Sequence, residues 1–238
     1  MATQQPTKGV STPQSLQSAT IPTENKLDEY ARRGLWALPV WAALLFYGTL
    51  THQPPPQTDF PGSARYISTT EFVIRHLVAS IFGAGVGILG LTALFVVLCK
   101  GRRAPLALWA LVTWVIGTAL QTAVFGAAAF AQPAIGRAYL AGHMAEAVAI
   151  NNDVYGPALF AAALPGTLLF LIGIVLFGLA VARSGSLPAL AGITLVVAGV
   201  VFPVTAIVFD NFLESIGAAL MVASTAWIAA AGWRTLRS

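Results

Sequence analysis

The stretch VYGPALFAAALPGTLLFLIGIVLFGLAVA (Val154–Ala182) contains no charged residue, and its length decides the fold. A bilayer core about 30 Å thick is crossed by a helix of ~20 apolar residues, so this segment is long enough to span it. The pattern recurs on both sides. Further charge-free stretches run Leu77–Leu98, Ala104–Ala131, Leu187–Phe209 and Ser215–Trp233, with a shorter one at Gly34–Leu50. The expected fold is all-α: a polytopic membrane protein built as a six-transmembrane-helix bundle, with a cytoplasmic tail over 1–24 and the membrane domain over 25–238.

Composition agrees. Only 9% of the 238 residues are charged and 57% are hydrophobic, against about 25% charged in a soluble domain. So few charges cannot clothe a water-exposed surface, which leaves lipid as the main covering. The formal charge of +4 could suggest a nucleic-acid partner, but its distribution argues against one. With the amino terminus inside, ten of the 13 Lys and Arg fall on the inner side, among them Arg32, Arg33, Lys100, Arg102, Arg103, Arg183 and Arg234. Arg65, Arg75 and Arg137 fall outside. Orientation follows Lys and Arg, so both termini are expected in the cytoplasm. The excess of Arg over Lys, with abundant Ala and Gly, points to a bacterial gene and hence a cytoplasmic membrane. A lone cysteine, Cys99, excludes an intrachain disulfide framework.

The first 24 residues are rich in Thr, Gln, Ser and Pro, with no apolar core of a signal peptide. Such a segment is expected to stay disordered. Asn25 is expected to cap a short helix over 26–29, and Pro39 to kink the first span or mark its first turn. The connection Thr51–Ser68, with Pro54-Pro55-Pro56 and Pro61-Gly62, reads as extended and stiff. Ser68-Thr69-Thr70-Glu71 reads as a capping box for the second span. Residues 139–150 read as one short interfacial helix broken by Asn151-Asn152-Asp153.

Along the second span, His76, Ser80, Gly83, Gly87 and Gly90 recur at alternating spacings of four and three, which places them on one helical face. Gly83 and Gly87 suit close approach of a neighbouring backbone in lipid. Gln121 sits mid-span with Trp114, Gly117 and Thr118 on adjacent turns, and a buried amide there needs a partner. The expected partner is another helix, with a bound quinone, lipid or substrate as the sharper alternative. Gly90, Lys100 and Pro105 match Gly173, Arg183 and Pro188 at a common shift of 83 residues, an internal similarity that apolar hairpins also reach by convergence.

No phosphate loop, HExxH pair, haem attachment motif or nucleophile elbow is present. All three histidines and six of nine acids fall on the outer side. Imidazole and carboxylate are ligands of zinc, iron and manganese, which makes His76, His143, Glu146, Asp210 and Glu214 candidate metal ligands. The expectation for His76 is nevertheless a buried, hydrogen-bonded imidazole. Gly83, Gly87, Gly90 and Gln121 are the expected helix-packing residues. The leading functional reading is an accessory or assembly subunit, or a lipid-binding protein, contacting membrane lipid and a membrane-protein partner or a second copy, with no cofactor named. A metal-dependent enzyme with an outer His/carboxylate site is the alternative, and a small-solute transporter the third.

Overall fold

The computed structural model describes residues 22–56, 58–208 and 211–235. The expected tail up to 21 lies outside the described residues. The described chain is helical already at Pro22. Helix α1 (Pro22–Gly34) therefore contains Asn25 rather than being capped by it. A tight turn at Leu35–Trp36 leads into α2 (Ala37–Thr51). Pro39 sits in the first turn of α2 and has no N–H to give to Leu35, whose carbonyl is taken by the Leu38 N–H at 3.1 Å. The turn swings α1 onto the end of the bundle, where Asp28 pairs with Lys100 and Arg32 lies 4.4 Å over the Trp233 ring.

The connection after α2 is not extended throughout. Residues 52–56 lack regular structure, but Phe60–Ile67 forms helix α3. Its Asp59 carboxylate accepts from the Gly62 N–H at 2.9 Å and Pro61 occupies the first turn. Pro61-Gly62 thus opens a helix, because a proline in the first turn forfeits no intrahelical bond. The expected Ser68/Glu71 capping box is not formed: the N-cap is Thr69, and Glu71 reaches Arg75 instead. Thr69 Oγ1 accepts from the Phe72 N–H at 3.2 Å, while Ser68 Oγ donates backwards to the Ala64 carbonyl at 2.6 Å.

Helix α4 (Thr70–Arg75), a π-helical segment over His76–Phe82 and α5 (Gly83–Leu98) form one rod. Helix α6 (Ala104–Phe130) passes through Ala131 into α7 (Gln132–Leu140), and α8 (Met144–Val154) follows. The single helix expected over 139–150 is therefore two, separated at Gly142, whose φ of +100° only glycine adopts without strain. Asn151, Asn152 and Asp153 remain helical, and the break falls at Tyr155–Gly156. Helices α9 (Pro157–Ala182), α10 (Ala189–Val208) and α11 (Asn211–Thr235) complete the chain.

Five helical stretches are long and apolar enough to cross a membrane, and among the described residues α10 supplies a shorter apolar one over Ala189–Thr205. No strand occurs among the described residues. Taken in chain order, α2, α5, α6, α9, α10 and α11 each pack on the next, and α11 returns to α2 to close a ring. Helices α3, α7 and α8 cap one end, with α3 lying on α7. The opposite, basic end carries Lys100–Arg103 and Arg183. Leu38, Leu94, Trp114, Phe177, Leu195, Met221 and Ile228 are buried within the ring. Leu89, Trp109, Phe160, Leu168 and Ile193 are exposed on its outside, as a lipid-facing surface requires.

Glycines set the close spacing. A Cβ on Gly90 would lie 2.8 Å from the Leu38 backbone nitrogen, one on Gly173 2.7 Å from that of Trp114, and one on Gly217 2.6 Å from that of Phe202. In each antiparallel pair (α2 with α5, α6 with α9, α10 with α11) the second helix thus presents a glycine to the backbone of the first. Gly83, Gly87 and Gly90 are buried within this chain, against α2 and α6.

Candidate ligand cavity

A cavity of about 440 Å³ opens inside the ring, a size suited to a drug-sized ligand. His52, Arg75, His76 and Glu214 line its capped end. Trp41, Trp114, Phe170 and Phe202 line the other end, near the middle of the helices. Gly87, which touches both Trp114 and Trp41, lies eleven residues along the rod from His76, or about 16 Å at the helical rise. The cavity is therefore a slot, polar at one end and aromatic at the other.

Local structure fixes the polar end. His76 is buried, and its Nδ1 lies 2.9 Å from the Phe72 carbonyl. A carbonyl only accepts, so Nδ1 carries the proton, and Nε2 of the neutral ring is left as an acceptor. The ring packs 4.2 Å from Phe72 and stands edge-on to His52 at 5.0 Å. His52 Nδ1 lies 2.9 Å from the Tyr66 hydroxyl. Burial, reinforced by the neighbouring His76 and Arg75, pushes the His52 imidazole down to about 4. It is therefore neutral near pH 7, with its Nδ1 sharing a hydrogen bond with the Tyr66 hydroxyl. Burial raises the Tyr66 hydroxyl above its ordinary value, with the adjacent Arg75 opposing. Arg75 itself reaches the exposed Glu71 at 3.4 Å.

The aromatic end is a cluster of four rings. Trp41 meets Trp114 edge-to-face at 5.5 Å, Trp114 lies 5.9 Å from Phe170 at 39°, and Phe170 lies 6.3 Å from Phe202. Between the two ends, Gln121 Nε2 donates to Thr167 Oγ1 and, at 3.4 Å, to the Ala163 carbonyl. This is an interhelical bond from α6 to α9.

Hydrogen bonding leaves a residue of unmet demand here. Among the described side chains, five buried polar atoms have no partner within the protein, and three of them belong to residues lining this cavity: Arg75 Nε, Trp114 Nε1 and Thr118 Oγ1. An unsatisfied polar group away from water costs several kcal/mol by order of magnitude.

The candidate metal ligands divide. His76 and Glu214 line the cavity together. His143 and Glu146 are exposed at the start of α8. Asp210 lies outside the described residues. Among the described residues no three His, Cys, Asp or Glu side chains are grouped to hold a metal ion. His52, Arg75, Trp114 and Thr118 were not among the candidates. The last two had a visible signal, because Trp114, Thr118 and Gln121 form a polar stripe at spacings of four and three along an otherwise apolar helix. Comparison with protein-family models, curated proteins and solved structures found no match.

Proposed function

We propose that this chain is a six-span protein of a bacterial cytoplasmic membrane, with both termini inside, that holds a small amphipathic molecule within its helix ring. One observation carries the binding: three buried polar atoms without partners belong to residues of a single cavity. Stable bundles satisfy buried polar groups internally, and a ligand lying along the slot would offer partners at both of its ends. Polar and aromatic ends suit a molecule with a head and an apolar body. The glycine seams favour this over a purely accessory role, because they are consumed in packing the ring.

Organic extraction of the detergent-purified chain, followed by mass spectrometry, should release one amphiphile in near-stoichiometric amount. Recovery of bulk lipid alone, with no thermal stabilisation by any amphiphile tested, would overturn the binding.

The topology rests on the Lys/Arg asymmetry and on counting α10 as a span. In a Cys99→Ser background, Thr58→Cys should react with an impermeant thiol reagent in intact cells. Gly101→Cys should react only after the membrane is opened. Reaction of both from one side would require a different number of crossings.

A further inference from the structure

We infer that the aromatic end of the cavity receives the carbonyl ring of a membrane quinone. This rests on the ligand-binding role proposed above and names the ligand's chemistry. Trp114 is fully buried and Thr118 is 4% exposed. Four residues apart on α6, they share a face. The indole Nε1–H can only donate, and the threonine hydroxyl can donate alongside it. Two donors without acceptors on one helix face call for an oxygen with lone pairs.

That oxygen belongs to a neutral group. The Trp114 ring touches Gly87, eleven residues along the rod from His76 and hence about 16 Å from the end where Arg75 and Glu214 lie. A carboxylate or phosphate at this depth would have no counter-ion, and burial of an isolated charge is prohibitive. A carbonyl meets the donors without that penalty. Flatness comes from the walls. Trp41, Trp114 and Phe170 all line this end, and an aromatic lining packs a planar ring more readily than a branched head. A planar, neutral, carbonyl-bearing ring soluble in the bilayer is the description of a quinone head. The inference concerns binding, and no electron transfer is assigned.

The test uses the full chain in detergent and three probes of similar chain length: decylubiquinone, decylbenzene and laurate. Decylubiquinone should bind and raise the thermal midpoint, and decylbenzene, lacking carbonyls, should bind at least tenfold more weakly. Thr118→Val and Trp114→Phe should each weaken decylubiquinone by roughly ten- to a hundredfold, the loss expected when a buried hydrogen bond is deleted. Thr118→Val removes an orphaned hydroxyl at constant shape, so the ligand-free variant should be at least as stable as the parent. Equal binding of decylbenzene, or decylubiquinone affinity unchanged in Thr118→Val, would overturn the inference. Laurate binding that Arg75→Gln abolishes, with decylubiquinone inert, would overturn the quinone and leave the ligand-binding role standing. Failure of all three probes, together with extraction of no specific amphiphile, would overturn both.

Discussion

Leucine at Gly173 should leave almost no folded protein to purify. A Cβ there would sit 2.4 Å from the Trp114 Cβ and 2.7 Å from its Cα, so the obstacle is backbone and cannot rotate away. Helices α6 and α9 would have to separate along their length. Overpacking typically costs about 1–3 kcal/mol, and a backbone clash inside a ring with neighbours on both sides exceeds that range. Gly85 is the matched control, since a Cβ there meets nothing within 4 Å. Gly85→Leu should keep the parent's yield and thermal midpoint in detergent. Gly87→Leu should fall between the two, because its nearest atoms are the Trp114 and Trp41 rings at 2.8 and 2.9 Å, which can tilt. A Gly173→Leu protein that elutes and melts like the parent would disprove the α6–α9 packing.

Filling the cavity should have the largest effect on binding. Ala84 lines it, in the first turn of α5. Phenylalanine there occupies space that the ligand needs, so Ala84→Phe should lower affinity for the extracted amphiphile more than about a hundredfold, or ~2.7 kcal/mol. Without ligand, the variant should melt no lower than the parent, since the added ring enters open space and buries apolar area. Gly85→Phe, one residue away but on the outer face, should bind normally. Undiminished binding by Ala84→Phe, measured by equilibrium dialysis, would place the ligand elsewhere.

The spans were legible because a charge-free run of about 20 residues has few soluble explanations. The ends of the helices were less so. Pro61-Gly62 serves turns and helix starts alike, and it was Asp59, positioned to cap Gly62, that decided between them. The π-helical segment over His76–Phe82 left no trace in its residues. The same limit governed the site. His76 and His143 look equivalent in sequence, each near a carboxylate at the expected outer surface. The structure buries the first in the ring and leaves the second exposed on α8. A periodic stripe tells which residues share a face, but only the neighbouring helices tell whether that face meets lipid, protein or a cavity. Trp114 and Thr118 show the point: their stripe was evident, and their lack of partners was not.

The three glycine-seated pairs bear on how the molecule is made. Each pair consists of consecutive long helices, so α2 with α5, then α6 with α9, then α10 with α11 can zip together in the order in which the ribosome delivers them, using contacts near in sequence. The seam between α11 and α2 is different, for it joins the last described helix to the first long one. Gly232 receives Leu35, in the turn just before α2, at 2.4 Å from where its Cβ would be. This seam cannot form until the carboxyl-terminal hairpin is synthesised, and until then the chamber has an open wall. The wall that α10 and α11 contribute, with Phe202 and Glu214 of the cavity lining, is therefore the last part of the chamber to be completed.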